Sequence, residues 1–212
     1  MRRFLLLFVF LVFSVHGLFA QEYDTEPMDM PYRLAMGPKA GVGISLGSRS
    51  DLHNMDFTPG LAYQFGAAFN AHFGRRYDLS DGGTGMFGFQ LEVLYSKRLI
   101  RHDSSPIGER CVEIPFLLQC YLSPTMALEA GATLVHVLGC TPATLDYQGA
   151  HFNVGGIKGN DVMLSVGACI KTSFGLMLDA RYNLGCSHLA GNFDTKVSTA
   201  MLSVVYLFTM VK

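Results

Sequence analysis

The sequence predicts an all-β protein that folds as a closed, antiparallel, eight-stranded transmembrane β-barrel with up-and-down topology. Three observations lead to this prediction. Half of the 212 residues are hydrophobic and only 16% are charged, whereas ordinary soluble domains carry about 25% charged residues. No long apolar run follows the first twenty residues. Instead, apolar residues alternate with small or polar ones in eight segments, and an even number of such segments is typical of outer-membrane barrels.

The start of the chain has the pattern of a secretory signal peptide. Arg2 and Arg3 give a basic beginning, residues 4–13 are unbroken apolar sequence, and Ala20 offers a small residue at the cleavage site. The alternative is an uncleaved anchor helix, but the apolar stretch is shorter than the about 20 residues that a membrane helix needs. We therefore expect a cleaved signal peptide over residues 1–20.

The rest of the chain divides into a short leader and one domain. Residues 21–33 are polar, acidic and contain prolines, which predicts a flexible periplasmic lead-in, and residues 34–209 are expected to form the barrel domain. Without the signal peptide, 14 basic and 17 acidic residues leave a net charge of 14 − 17 = −3. No cluster of Lys and Arg indicates nucleic-acid binding.

The clearest predicted strand covers residues 61–73. Its odd-numbered residues are apolar, from Leu61 to Phe73, and its even-numbered residues are small or polar, such as Gln64 and Asn70. Alternate side chains point to opposite sides of a strand, and this length is enough for a tilted strand to cross a membrane. The same pattern predicts strands over residues 39–46, 87–96, 112–121, 128–135, 162–171, 176–184 and 199–208.

The connections between these segments alternate in length. Tight turns are predicted at residues 123–125 and 172–173, and longer external loops at residues 47–60, 99–110, 139–160 and 186–197. Short periplasmic turns and long outer loops are usual in outer-membrane barrels. The link over residues 74–85 departs from this rule, because it should be periplasmic and yet is as long as the outer loops.

The inward face of the predicted barrel combines small residues with charges. The small residues are Gly41, Gly43, Gly66, Ala68, Gly88, Gly131 and Gly167. The charged residues are Glu92, Glu113, Glu129, Lys171, Asp179 and Arg181. Side chains fill the interior of an eight-stranded barrel, and buried charges must be paired.

We therefore expect a salt-bridged plug, in which these carboxylates pair with Lys171 and Arg181, and with Lys39 or Arg98 as further cations. The alternative is that several of the charges lie near the rim in water. Either arrangement disfavours an open channel, which needs about 16–18 strands.

Aromatic and cysteine residues add weaker indications. The aromatic residues expected on the lipid face near strand ends, where they would form interfacial girdles, are Tyr63, Tyr95, Tyr182, Tyr206 and Phe208. The five cysteines are Cys111, Cys120, Cys140, Cys169 and Cys186. Their odd number favours small apolar residues over a disulfide framework, although one pair among Cys111, Cys140 and Cys186 could oxidise.

No motif in the sequence indicates an enzyme, a cofactor or a metal site. Histidines in the predicted loops, with Asp103 beside one of them, could in principle gather a metal: His102, His136, His151 and His188. Ser187, His188 and Asp194 are a conceivable catalytic set, as in barrel enzymes. Nothing in the spacing fixes the geometry of either group, so we predict a non-enzymatic protein without cofactor or metal.

Several sequence elements resemble the small outer-membrane barrels of the Bacteroidetes known as the PorT-like family. These elements are residues 37–41, 89–96, 112–118, 129–131 and 178–185. Pro115 within the third of them predicts a bulge or a local break in its strand. The resemblance implies an outer-membrane barrel, and some members of the family support protein secretion or gliding. Such barrels tend to end on an aromatic residue, whereas here residues 209–212 follow Phe208.

Four functions remain open from the sequence. The leading hypothesis is a structural or binding barrel in outer-membrane lipid, inserted by the assembly machinery, whose external loops bind an extracellular ligand. The second is an accessory component of a secretion machine, with contacts through the lead-in or the link over residues 74–85. A soluble periplasmic carrier barrel would need a polar exterior, and a barrel enzyme would need a defined catalytic set.

Overall fold

The computed structural model describes residues 32–48, 58–73, 86–102, 105–123, 125–141, 144–147, 150–153, 159–172, 174–186 and 196–211. The predicted signal peptide, most of the lead-in and the link over residues 74–85 lie outside these residues. Within them, no helix has the length and apolar character needed to cross a membrane.

Every element of the described chain is a β-strand. The strands are β1 (Tyr32–Gly47), β2 (Gly60–Phe73), β3 (Met86–His102), β4 (Ser105–Tyr121), β5 (Met126–Thr141), β6 (Thr144–Tyr147), β7 (Ala150–Asn153), β8 (Asn160–Lys171), β9 (Leu176–Gly185), β10 (Val197–Tyr206) and β11 (Phe208–Val211). All eight predicted segments are strands, and most extend beyond their predicted ends.

The main sheet is closed and antiparallel, which confirms the predicted fold. Its strands follow the order β10-β9-β8-β5-β4-β3-β2-β1, and β1 also pairs with β10. Each strand therefore lies beside its sequence neighbour, apart from the small hairpin β6–β7 inserted between β5 and β8. Closure gives each wall strand a hydrogen-bonded neighbour on both sides, so the wall has no edge strand within the described residues.

The two ends of the barrel differ in their connections. At one end, here called the turn end, Ser123 accepts a hydrogen bond from the backbone of Met126, and Gly175 adopts a φ of 95°. These tight turns confirm the two short connections predicted from the sequence. The opposite end, here called the loop end, carries the β3–β4 hairpin and β6–β7.

The prediction of an external loop over residues 99–110 is wrong. Strands β3 and β4 continue through most of this segment, and His102 pairs with Ser105. The predicted loop over residues 139–160 likewise contains the end of β5 and both strands of the β6–β7 hairpin. The polar residues of these segments suggested loops. They form strands instead, because a hairpin above the barrel rim can have one face in water and then does not need the apolar alternation of the wall.

The last strand is interrupted by a proline on its neighbour. The register of β10 against β1 continues into β11, with Val205 opposite Lys39 and Phe208 opposite Met36, and it shifts by one residue between Ala35 and Leu34. This register places Tyr206 and Leu207, which are unpaired with β1, opposite Pro38 and Gly37; Pro38 has no N–H to donate, and the N–H of Leu207 donates to the carbonyl of Gly175 instead. The residues after Phe208 therefore continue the barrel wall, and β1 starts at Tyr32, two residues before the predicted domain boundary.

Pro115 produces the local break that its sequence position predicted. In the β3–β4 ladder, Leu91 pairs with Phe116 and Leu94 pairs with Glu113, without a pair between them. The register is the same on both sides of this gap, so no residue is inserted. The break leaves Glu92 and Val93 without partners in the β3–β4 ladder. Glu92 is one of the charged residues of the barrel interior.

Candidate functional site

The barrel interior contains a central cluster of five charged side chains from four strands. Lys39 comes from β1, Glu92 from β3, Glu129 from β5, and Asp179 and Arg181 from β9. Each occupies an inward position of its strand, and each is at most 5% exposed. The alternation of the strands thus directs all five toward the barrel axis.

Arg181 holds the central cluster together. Its Nη1 lies 2.9 Å from Oε2 of Glu92, its Nε lies 2.9 Å from Oε1 of Glu129, and its Nη2 lies 2.7 Å from Oδ2 of Asp179. A guanidinium group offers five N–H donors in a fixed plane, which allows one side chain to bind three carboxylates. Arg181 therefore connects β3, β5 and β9 across the barrel.

Lys39 completes the cluster from β1, which only β10 separates from β9 in the closed sheet. Its ammonium lies 2.8 Å from Oε1 of Glu92 and also donates a hydrogen bond to Asp179. The side chains of Lys39, Glu92 and Asp179 have no solvent exposure. An isolated buried charge is very unfavourable, whereas a paired and hydrogen-bonded one is tolerated. The contacts therefore account for the presence of five charges in the interior.

Gly167 makes room for this arrangement. It pairs with Arg181 on β9 and with Glu129 on β5. A Cβ at this position would lie 2.6 Å from the carbonyl oxygen of Ala180 and 3.1 Å from Oε1 of Glu129. The glycine is needed because any side chain here would push the wall and the carboxylate apart.

A second cluster, the loop-end cluster, lies within the β3–β4 hairpin. Nε of Arg98 is 3.3 Å from Oε1 of Glu113 and 3.7 Å from Oε2 of Glu109, and Ser96 donates a hydrogen bond to Glu113. These contacts are longer than those of Arg181. Among the described residues, Nη2 of Arg98 and Oε2 of Glu109 have no hydrogen-bond partner.

A third polar group lies near the turn end. Lys171 donates hydrogen bonds to Oδ1 of Asn70, at 2.8 Å, and to the hydroxyl of Tyr121, and its ammonium lies 4.7 Å from the centre of the Tyr121 ring. Gln119 bridges this group to the central cluster, because its Nε2 lies 3.3 Å from Oε2 of Glu129. Polar contacts therefore run from the central cluster to the turn end of the interior. The buried hydrophobic residues near that end are Ala68, Tyr121, Ala127, Cys169, Met177 and Val205.

The six charged residues predicted from the sequence all point inward, but they fall into three groups. Glu92, Glu129, Asp179 and Arg181 meet in the central cluster, and Glu113 lies with Arg98 instead. Lys171 contacts amides and a phenol and reaches the carboxylates through Gln119. Sequence reasoning named Lys39 and Arg98 only as alternatives.

Glu109 was missed altogether, because it lies in the segment predicted as a loop. Continuing the alternation back from Cys111 would have placed Glu109 on the inward face, where the structure has it. The predicted small residues do line the interior, as the register of Gly41, Gly66 and Gly131 shows.

The residues weighed for metal binding or catalysis contribute little to the described structure. His136 lies on the outer face, where its Nδ1 is 2.7 Å from Oδ1 of Asn160. Among described residues, no three His, Cys, Asp or Glu side chains are grouped as a metal site. The set of Ser187, His188 and Asp194 lies outside the described residues. All five cysteines are free thiols, with Cys120 and Cys186 exposed.

The outer face of the barrel is apolar. Large exposed hydrophobic side chains occur on all eight wall strands, including Leu118 at 69% and Leu202 at 66% exposure. The tyrosines predicted on this face lie there: Tyr63 and Tyr95 are half-buried, and Tyr182 and Tyr206 are exposed. Phe208 is also exposed and meets the ring of Tyr206 edge-on, with centroids 4.8 Å apart.

Comparisons with known proteins were made for both sequence and structure. No protein-family model matches the sequence, and no curated protein matches it. Among solved structures, Neisserial surface protein A (NspA) is similar, with a TM-score of 0.49 and 15% identity over 82% of this chain and 97% of that chain.

Two other solved structures show lower similarity. The attachment invasion locus protein Ail of Yersinia pestis, in complex with a heparin analogue, has a TM-score of 0.40 and 13% identity over 85% of this chain and all of that chain. The translocator domain of the autotransporter NalP from Neisseria meningitidis has a TM-score of 0.32 and 12% identity over 92% and 95%. At such scores the likeness carries no family or function, and the fold assignment rests on the strand pairing.

Proposed function

We propose that this protein is a non-enzymatic outer-membrane β-barrel that acts as a structural or binding scaffold through its loop end. The observation that carries the proposal is the distribution of polarity across the barrel wall. Outward positions hold large apolar side chains, and inward positions hold paired charges. A protein folded in water has the opposite distribution.

The apolar exterior favours lipid as the surrounding solvent. Soluble monomers rarely expose a contiguous apolar patch larger than about 300–600 Å². Here the exposed hydrophobic residues encircle the barrel, because neighbouring strands such as β8 and β9 both present them along their length, as with Leu164 and Leu178. This pattern counts against a soluble periplasmic carrier, which would keep its apolar face inside.

The filled interior favours a scaffold over a channel. Lys39, Glu92 and Asp179 close the middle of the barrel with no solvent exposure. The floor of apolar residues at the turn end adds a second barrier, in which Tyr121 and Met177 are fully buried. Because the interior is filled, we expect the function at the surface of the protein. The loop end has more described structure outside the barrel wall than the turn end.

The loop end carries two hairpins that extend beyond the barrel wall. The β3–β4 hairpin pairs up to His102 and Ser105, with Ile100 and Ile107 buried within it. The β6–β7 hairpin adds a second paired element between β5 and β8. A paired hairpin holds its backbone in a defined conformation, and such preorganisation lowers the cost of binding an extracellular ligand.

A role beside a secretion machine is the second candidate. The resemblance of residues 112–118 and 178–185 to the PorT-like family favours it. Its expected contacts would use the lead-in and the link over residues 74–85. Deletion of residues 76–83 should then block export of secreted proteins while the barrel still folds, and unchanged export would exclude this role.

Membrane fractionation with a heat-shift gel tests the main proposal. We expect the protein in outer-membrane fractions, and we expect unheated and boiled samples to migrate differently, because a closed barrel resists detergent until it is heated. A soluble protein without a mobility shift would contradict the proposal and revive the periplasmic carrier.

A further inference from the structure

Two basic side chains stand out on the outer face of the barrel. Lys97 on β3 and Arg110 on β4 are direct cross-strand partners. Their sequence neighbours Ser96, Arg98, Glu109 and Cys111 are buried inside, so alternation directs Lys97 and Arg110 outward. Among outward wall residues whose side chains the structure describes, these two are the charged ones.

This pairing is unfavourable without a ligand. Like charges directly opposite each other on neighbouring strands destabilise a sheet. Within the described part of the chain, neither Lys97 nor Arg110 has a carboxylate partner. An anion between the two side chains would attract both of them and remove the repulsion. The pair is therefore better suited to binding an anion than to stabilising the sheet.

Each of the two side chains covers a glycine. The Cε of Lys97 lies 3.3 Å from the point that a Cβ on Gly108 would occupy, and Nη2 of Arg110 lies 3.7 Å from the equivalent point on Gly139. Both side chains therefore lie across glycines of adjacent strands. Tyr63, the partner of Lys97 on β2, borders the same area. The result is a shallow basic surface on an otherwise apolar wall.

The height of this surface matches the level of lipid headgroups. Below Lys97 on β3, the outward residues run from Tyr95 down to Phe87 without a charge. Eight residues of strand at about 3.3 Å each, tilted by about 40°, cover about 20 Å, close to the apolar band of such barrels. Lys97 and Arg110 lie at the loop-end limit of this uncharged stretch, with the exposed apolar side chains of Leu61 and Leu138 nearby on β2 and β5.

We propose that Lys97 and Arg110 bind the phosphate group of a phosphorylated glycolipid in the outer leaflet. Arginine can hold two phosphate oxygens at once and lysine adds a point charge, while the apolar wall below would contact the acyl chains. This inference rests on the proposed outer-membrane location, with the loop end outside.

Lipid binding to the full-length folded protein in detergent tests the inference. The probes are lipid A, which carries two phosphates, and the same lipid with its phosphates removed, each counted on the protein by native mass spectrometry. The variants are Lys97→Gln, Arg110→Gln and the double variant. The matched control is Lys196→Gln, which removes the same charge at the loop end beside Ser48, far from β3 and β4 in the sheet order.

We expect the unaltered protein to prefer the phosphorylated lipid. Because each basic residue near a membrane surface adds a similar increment, each single variant should bind it about five-fold more weakly and the double variant about 25-fold more weakly. The control should stay within about two-fold. Inorganic phosphate at millimolar concentration should not displace the lipid, because it lacks the acyl contacts.

Three outcomes would overturn the inference. They are equal binding of the two lipids, unchanged binding by the double variant, and full displacement of the lipid by inorganic phosphate, which would indicate a simple anion site. All variants should keep the heat-dependent mobility shift and the outer-membrane location. A protein that passes those two tests but fails the lipid test would leave the proposed function intact and remove only this site.

Discussion

The central cluster and the loop-end cluster are built from the same groups, yet they differ in how completely they are paired. Arg181 lies 2.7–2.9 Å from three carboxylates on three strands. Arg98 lies 3.3–3.7 Å from two carboxylates, both on the neighbouring strand β4. The first cluster joins carboxylates from three strands, whereas the second takes both carboxylates from one strand and reaches β8 only through the 3.6 Å contact of Arg98 with the sulfur of Met163.

This difference indicates separate roles for the two clusters. Buried ion pairs contribute to stability only when their geometry is good and their remaining hydrogen bonds are satisfied. In the central cluster, the three guanidinium nitrogens of Arg181 are all hydrogen-bonded and Oδ1 of Asp179 lacks a partner among the described residues, whereas the loop-end cluster leaves Nε and Nη2 of Arg98 and Oε2 of Glu109 without one. Stability should therefore depend on the middle of the barrel more than on its loop end.

Arg181→Ala should have the largest effect. It leaves Glu92, Glu129 and Asp179 buried with only Lys39 as a cation, and breaking such a pair costs about 3–5 kcal/mol. The free energy of unfolding, measured by urea titration of the folded barrel in detergent, should fall by that amount. Unchanged unfolding would show that the central cluster does not stabilise the barrel.

Gly167→Ala should weaken the same cluster by a different route. The added methyl group meets the carbonyl of Ala180 and the carboxylate of Glu129, and overpacking of this kind costs about 1–3 kcal/mol. Gly159→Ala is the matched control, because a Cβ there has nothing within 4 Å. Equal urea midpoints for the two variants would mean that the close approach at Gly167 is unimportant.

Arg98→Ala should have a smaller effect than Arg181→Ala, although both remove a buried guanidinium. The contacts of Arg98 are already long, so we expect a loss of about 1–2 kcal/mol. The same urea titration, run beside the Arg181 variant, gives the comparison directly. A loss equal to that of Arg181→Ala would show that the two clusters are equivalent.

Glu109→Gln should have the smallest effect and could even stabilise the barrel. It removes a carboxylate whose Oε2 has a 3.7 Å ion pair with Arg98 but no hydrogen-bond partner among the described residues, and which is repelled by Glu113. We expect a change within about 0.5 kcal/mol. A marked loss of stability would mean that Glu109 holds Arg98 more firmly than the 3.7 Å contact indicates.

Most of the fold could be predicted because its signal is local. Alternation with a period of two sets which side of a strand each residue faces, and it found all eight wall strands and the inward position of residues such as Glu92 and Arg181. The same reasoning failed over residues 99–110, where the strands leave the band in which one face must be apolar. There, backbone pairing within the hairpin stabilises the strands, and the sequence shows no apolar alternation from which they could be predicted.

The pairing among the charges was much less predictable. Inward direction follows from position in one strand. The partners of Arg181, however, depend on register, tilt and closure, which bring it to Glu92, 89 positions away in the chain. Those relations brought Lys39 to Glu92 and separated Glu113 from Arg181. The register also places Lys97 opposite Arg110 on the outer face. Neither charge stands out when the two segments are read along the chain.

Local pattern in the amino-acid chain was thus sufficient to predict the number of wall strands and which face of the barrel wall each residue occupies. The reason is that a strand in a barrel wall experiences two environments, and each residue type reports which one it occupies. The identity of contacts across the interior arose only when the sheet closed. Closure brings residues that are distant in the chain to the same height in the barrel. The distance between their side chains cannot be predicted from either segment alone.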